Sequence, residues 1–271
     1  MAIDAVIVDY LKQLRMGGLA AGYREILRDT EEHNLSYSEF LKACLEHELS
    51  FKKDSRLRRL VAKAKFPVLK AIDTFDFSVQ PDLPKHKIMG LLDGGFVRQH
   101  ESVIFVGKPG TGKTHLAISL GVAACQAGLS TRFYTAASLA NQLVEARANH
   151  SLSRFEKSFK RLDLAILDEL GYVPFSREAG QLLFSMVSAR YELGSFAVTS
   201  NLDFSRWTEI FGDEGMTAAL IDRLVHRGHV FTTSGDSYRF KESLRMARTM
   251  AGGGSQFDGR LLPKGSTSPS V

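Results

Sequence analysis

Apolar residues at Ile3, Val6, Ile7, Tyr10, Leu11 and Leu14 recur at helical spacing and stop at Gly17-Gly18, which predicts a first amphipathic helix. A second helix is expected from about Leu19 to His33. Ser36 and Glu39 then form a capping box, with Leu35 and Phe40 as its staple, so a third helix begins there and runs, with room for a break, to Phe66-Pro67. From about residue 100 the period changes. Short apolar strands, SVIFV (102–106), TRFYT (131–135), DLAILD (163–168) and SFAVTS (195–200), alternate with helical stretches, which predicts an α/β fold with a parallel sheet covered on both faces. Residues 67–84 hold three of the seven prolines and read as a linker. The expected organisation is a helical unit over 1–66, the linker over 67–84, an α/β domain over 85–250, and a Gly/Ser/Pro-rich tail over 251–271 that reads as disordered.

Composition changes this picture little. With 271 residues, 44% hydrophobic and 24% charged, the chain can bury a sizeable core and is neither collagenous nor wholly disordered. Its two cysteines, Cys44 and Cys125, lie in apolar helical patterns, which argues against a disulfide framework and for a reducing compartment. Asp4 and Asp9 interrupt the first apolar stretch, no basic region precedes it, and no run approaches the roughly 18 apolar residues of a membrane span. A soluble, cytoplasmic protein without membrane contact is the expectation. The eight histidines show no metal-binding spacing, His226 and His229 read as surface or packing residues, and Trp207 reads as a packing anchor.

Chemistry is concentrated in Gly107-Lys108-Pro109-Gly110-Thr111-Gly112-Lys113-Thr114, a G-x-x-x-x-G-K-[ST] sequence directly after SVIFV and before the helical pattern THLAISLGVAAC, whose second residue is His115. Glycines at these positions let the backbone curl so that N–H groups and a helix N-terminus face phosphate oxygens. Residues 107–115 are the expected nucleotide contacts, with Lys113 on the β- and γ-phosphates of ATP and the Thr114 hydroxyl on Mg²⁺. The apolar run Leu164 to Leu167 ends in Asp168-Glu169, where Asp168 is placed to hold the metal and Glu169 to act on an attacking water. A base beside the metal ligand favours hydrolysis over transfer to an acceptor, so a small-molecule kinase is the weaker alternative. Asn201, at the tip of the next strand, faces the same edge and is placed for the γ-phosphate or the water, or else for capping a helix near Asp203.

In this order GKPGTGKT, LAILDE and VTSN resemble the Walker A, Walker B and sensor 1 elements of an AAA+ ATPase. More narrowly, LKQLRMGGLAAGY, LSYSEFLKACLEHE, the FDF at 75–77, LDELGYVPF and MTAALIDRLVHRGHV followed by GDSYR resemble the IstB transposition helpers, relatives of the DnaC-type helicase loaders. The resemblance covers about residues 5–245. It implies an ATPase that assembles as a homo-oligomer on double-stranded DNA, with ATP sites between subunits, and works with a transposase. It also implies that Arg223, in ALIDRL, is an arginine finger for a neighbouring subunit, with Arg227 as competitor, and that Arg239, in DSYR, contacts nucleotide.

The formal +5 charge is unevenly spread. KKDSRLRRLVAKAKFPVLK (52–70) carries eight Lys/Arg against Asp54, and at 100° per residue Lys52, Arg56, Arg59 and Lys63 cluster on one face while Leu57, Leu60, Val61 and Ala64 form another. Such a stripe suits a helix that packs on its domain while tracking a phosphate backbone. Helicase loading, with the helical unit as a protein-docking module, is the alternative to the DNA-binding transposition helper.

Overall fold

A computed structural model describes residues 2–235 and 237, so Arg239 and the expected tail lie outside the described residues. Three helices come first: α1 (Ala2–Gln13), α2 (Gly17–His33) and α3 (Tyr37–Ala64). Gly17 and Gly18, expected to separate two helices, form the first turn of α2 instead. The capping box is made: Ser36 N–H donates to Glu39 Oε2 at 2.8 Å, and Glu39 N–H donates to Ser36 Oγ at 3.3 Å. No break interrupts the 28 residues of α3, which ends where Lys65 turns left-handed ahead of Phe66-Pro67. Leu11, Leu19, Tyr23 and Cys44 are the buried core of this unit. Of the six apolar positions that predict α1, Leu11 alone is buried, because α2 covers only a narrow strip; Ile3, Val6, Ile7, Tyr10 and Leu14 are exposed.

Helices α4 (Lys85–Gly90) and α5 (Gly95–Arg98) lead into β1 (Ser102–Gly107), α6 (Lys113–Gln126), β2 (Thr131–Thr135), α7 (Ala136–Ala148) and α8 (Leu152–Phe159). There follow β3 (Leu164–Leu170), α9 (Arg177–Ser188), β4 (Ser195–Ser200), α10 (Thr208–Phe211), α11 (Glu214–Val225) and β5 (Gly228–Thr233). The five strands pair in parallel in the order β2-β3-β4-β1-β5. One apolar cluster fills the face under α7 to α11, and a second fills the face under α4 to α6. Near Asp203 the expected helix is a 3₁₀ turn, Phe204–Arg206, followed by the short α10.

The linker is not free. Phe66, Ile72, Phe75 and Phe77 pack on the second cluster, and α3 itself lies along the edge strand β2. Arg132 Nη1 of β2 donates to Lys63 O at 3.0 Å, and Arg56 Nη2 donates to Gly128 O at 2.9 Å. The basic half of α3 is therefore seated on the α/β layer rather than held in a separate body, and it covers a strand edge that would otherwise be open.

Cys44 and Cys125 are both free and buried, and no helix among the described residues is long and apolar enough to cross a membrane. Trp207 is fully buried, its Nε1 donating to Ser200 Oγ and Leu202 O at 3.2 and 3.1 Å. His226 pairs with the Tyr191 hydroxyl and His229 with Glu101.

Arg190, just beyond α9, is a buried cation that joins the start of the sheet to α8. Its guanidinium donates to the carbonyls of Phe159 (2.7 Å), Leu162 (2.8 Å), Asp163 (3.2 Å) and Ser195 (3.3 Å), between the rings of Phe159 and Phe196, each 5.2 Å away. Burial pushes its pKa down to about 10, so it stays charged near neutrality. Arg190→Met keeps the volume but leaves these carbonyls without donors, and is expected to cost about 3 kcal/mol. The check is a lower denaturant midpoint at an unchanged slope; an unshifted midpoint would show that the carbonyls do not need this donor.

Candidate nucleotide site

Parallel order brings the C-terminal tips of β1, β3 and β4 to one sheet edge, and the chain leaves β1 there in the loop Gly107 to Gly112. Gly107 has φ +146°, and a Cβ there would overlap the carbonyl oxygen of Thr233 on β5, so only glycine allows the loop to start so close to the strand. Thr111 Oγ1 ties the loop down, with Lys108 O at 2.8 Å and Thr233 Oγ1 at 2.7 Å. Lys113, at the first turn of α6, is largely buried and donates through Nζ to Gly107 O (2.6 Å) and Lys108 O (2.7 Å). Its charge is thus held inside the curl of the loop, where the phosphates of a bound nucleotide are expected.

Opposite stands β3. Asp168, 4% exposed, accepts on Oδ1 from Thr114 Oγ1 at 2.9 Å and from Thr199 Oγ1 at 2.5 Å. Between Leu167 and Leu170 the register with β4 shifts by one residue, and within this bulge Glu169 has φ +60°. The bulge carries β3 two residues past the expected end at Asp168 and turns the Glu169 side chain out to solvent. A left-handed, non-glycine residue next to the metal-ligand candidate is backbone strain of the kind that persists where function needs it. Glu169 N–H donates to Thr199 Oγ1 at 3.0 Å, so one threonine steadies both carboxylate-bearing residues. Asn201 caps no helix. Its Oδ1 is buried without a hydrogen-bond partner among the described residues, against Gly171 on the β3 side.

A cavity of about 370 Å³ adjoins the loop, with Gly110 to His115 on one wall and Pro67, Val68, Thr74 and Phe75 on the other. Gly112 has φ +94°, and a Cβ there would press on the Phe75 ring. His115 Nε2 lies 2.9 Å from Ala71 O, an acceptor only, so this nitrogen carries the proton; the ring also meets Phe75 edge-on. Asp76, on the rim, accepts from the Ser78 hydroxyl and backbone N–H, which hold its carboxyl below the usual range. Thr199, Thr74 and Phe75 were not anticipated as site residues. The signals were present as the polar threonine inside VTSN and as the FDF at 75–77, but neither spacing by itself specifies a contact.

Arg223 is absent from this edge. It sits near the end of α11, donating through Nη1 to Ala219 O at 2.8 Å, with its guanidinium 5.2 Å from the centre of the Phe184 ring. With Arg227 it lines a cleft that includes Ser102 and Phe196, at the starts of β1 and β4. The residues of β1 separate that edge from the phosphate loop by roughly 17 Å. The basic stripe is exposed at all four positions, with Lys52 Nζ 3.4 Å from Glu48 Oε1 and Arg56 on Gly128. Neither the stripe nor Arg223 meets the nucleotide edge of its own chain.

Residues 9–246 match the family model described as "IstB-like ATP binding protein". The ATP-binding protein named for insertion sequence IS5376 of Geobacillus stearothermophilus is 38% identical over 87% of this chain and 94% of its own length. The one named for IS21 of Pseudomonas aeruginosa is 36% identical over 86% and 88%. Among solved structures, a DNA replication initiation factor aligns with a TM-score of 0.54 at 17% identity over 69% of this chain and 56% of its own. The replication initiator DnaA bound to AMPPCP and single-stranded DNA aligns with a TM-score of 0.53 at 18% identity over 66% and 55%. At those identities the structures speak for the fold alone. Loop, carboxylate pair, strand order and family match converge on one conclusion: the chain belongs to the IstB-like ATP binding protein family and is an ATPase.

Proposed function

We propose that this ATPase is an oligomeric, double-stranded-DNA-binding helper of a transposase, with ATP binding and hydrolysis controlling its assembly on DNA during movement of an insertion element. The relatives named for insertion sequences support the setting. The observation that carries the oligomeric reading is Arg223, which lies at the sheet edge away from its own Lys113 and so can reach a phosphate only in another subunit.

In this reading Lys113 leaves the loop carbonyls for the β- and γ-phosphates as nucleotide enters. The Thr114 hydroxyl and the Asp168 carboxylate, 2.9 Å apart, are hard oxygen donors that fit Mg²⁺. An ion held by these two residues would supply positive charge to offset that of the phosphates. Glu169 accepts a proton from water as the water oxygen bonds to the γ-phosphorus and the bond to the bridging oxygen of ADP breaks. The unpartnered Oδ1 of Asn201 orients that water, and Arg223 of the adjacent subunit stabilises the transferring group. Loss of the γ-phosphate removes the contact to Arg223 and loosens the junction. Arg239, outside the described residues, is assigned to nucleotide contact on family resemblance.

Lys113→Ala is expected to abolish ATP binding, whereas Glu169→Gln binds ATP and turns over at least about 100-fold more slowly. Hydrolysis by Glu169→Gln at the wild-type rate would remove the assigned role. Mixing Arg223→Ala with Lys113→Ala chains is expected to restore part of the activity at junctions that pair an intact site with an intact finger. Mixed oligomers without recovery would move the finger to Arg227.

Duplex binding through the stripe Lys52, Arg56, Arg59 and Lys63 is dominated by phosphate contacts. Among the described residues Arg59 and Lys63 make no side-chain hydrogen bond or ion pair, so they are the pair to neutralise. Arg59→Gln with Lys63→Gln is expected to flatten the log–log salt dependence of DNA affinity by up to about 2 while leaving ATP affinity unchanged. An unchanged slope would return the stripe to a solvated face.

A further inference from the structure

The margin of the seam between α9 and α11 carries a side-chain pair away from the nucleotide edge. Leu183 and Val187 of α9 and Leu220 and Leu224 of α11 are buried in the first apolar cluster, where the two helices pack together. Each helix then has one half-buried residue beside them: Phe184, next to Leu183, and Arg223, next to Leu224. Phe184 packs against the same cluster, so its ring is held from behind. The Arg223 guanidinium lies over that ring, 5.2 Å from its centre, while Nη1 donates to Ala219 O, one turn back along α11, at 2.8 Å.

Both holders are neutral. A carboxylate would orient an arginine as well, but it would also cancel the charge, and the pair would have to break before the guanidinium could meet a phosphate. Arg223 forms no ion pair among the described residues, although Asp222 beside it is exposed and Glu192 lines the same cleft. Its Nε and Nη2 form no hydrogen bond among the described residues either. A carbonyl dipole and the negative face of a ring therefore fix the orientation of the cation and leave its full charge for an anion. A guanidinium already laid on a ring also has less rotamer freedom to lose when that anion arrives. Arg227, exposed beyond the end of α11, has no such ring beneath it among the described residues.

We propose that Phe184 is a positioning residue for the arginine finger: its ring face, together with Ala219 O, holds Arg223 in the orientation that meets the γ-phosphate in the adjacent subunit. The inference rests on the finger reading above and adds a residue of α9 to it. Phe184 acts through Arg223 on a neighbour's site and leaves the phosphate loop of its own chain untouched.

The test measures ATP turnover by the full chain, alone and in mixtures. Phe184→Leu removes the ring and keeps apolar bulk; kcat is expected to fall about fivefold with KM and ATP affinity unchanged, while Phe184→Tyr, which retains the ring face, keeps wild-type turnover. Added to Arg223→Ala, Phe184→Leu is expected to cost no more than about 1.5-fold further, because the group it holds is gone. The decisive readout is the mixture of Arg223→Ala with Lys113→Ala chains, in which the restored activity comes from junctions where the Lys113→Ala chain gives the finger. Phe184→Leu carried by the Lys113→Ala chain is expected to cut that restored activity about fivefold, and carried by the Arg223→Ala chain to leave it as it was. An equal loss from either chain would make Phe184 a packing residue of the seam and overturn the proposal, as would restored activity indifferent to both placements. In those two cases the finger reading stands, because Arg223 still acts across the junction. A mixture that recovers nothing even with Phe184 intact overturns both readings.

Discussion

The nucleotide edge depends on one buried carboxylate. Asp168 has little access to water, so its charge must be met inside the protein, and hydroxyls from two other elements meet it: Thr114 from the first turn of α6 and Thr199 from β4. Those bonds lock the phosphate loop, β3 and β4 into one constellation. Because Thr199 also accepts the Glu169 N–H, the backbone that bulges at Glu169 is fixed by the same side chain that anchors Asp168. The proposed metal ligand and the proposed base are thereby placed by a single residue that is assigned no contact with nucleotide or water.

Much of this was legible in the sequence, and the reasons for the remainder are physical. SVIFV and SFAVTS are buried on both faces, so their consecutive apolar residues, VIFV and FAV, identified the central strands β1 and β4. β5, GHVFTT, escaped notice because it is an edge strand whose buried Phe231 and Thr233 alternate with exposed neighbours, which leaves no continuous apolar run. The glycines and lysine of the loop announce phosphate binding because that backbone curl is hard to build otherwise. The bulge at Glu169 leaves no comparable mark, since it arises from pairing with β4, a partner remote in sequence. Phe75 is likewise unreadable as a wall of the cavity beside the loop until the linker is seen folded over Gly112.

The N-terminal helices teach the complementary lesson. Periodicity located α1, and its apolar residues were the evidence, yet most of them face solvent while Leu11 alone is buried. Period reports a helix with an apolar side. It does not report what that side packs against, which for α2 and α3 includes a contact no pattern foretold: the buried Glu48 of α3 accepts the Leu19 N–H in the first turn of α2 through Oε2 at 2.8 Å.

The linker fixes the mechanical relation between the two halves of the molecule. Ser119 donates to Lys70 O and His115 bonds Ala71 O, so the segment leaving α3 is splinted along the helix that begins at the phosphate loop. No swivel intervenes between nucleotide and α3. A continuous helix of 28 residues is a rod about 42 Å long, rooted at one end on β2 and carrying α1 and α2 at the other. Because the half from Arg56 onward is seated on the sheet, about 28 Å of that rod projects, and a tilt of about 10° at the seat would carry its far end through roughly 5 Å, about the radius of a helix with its side chains.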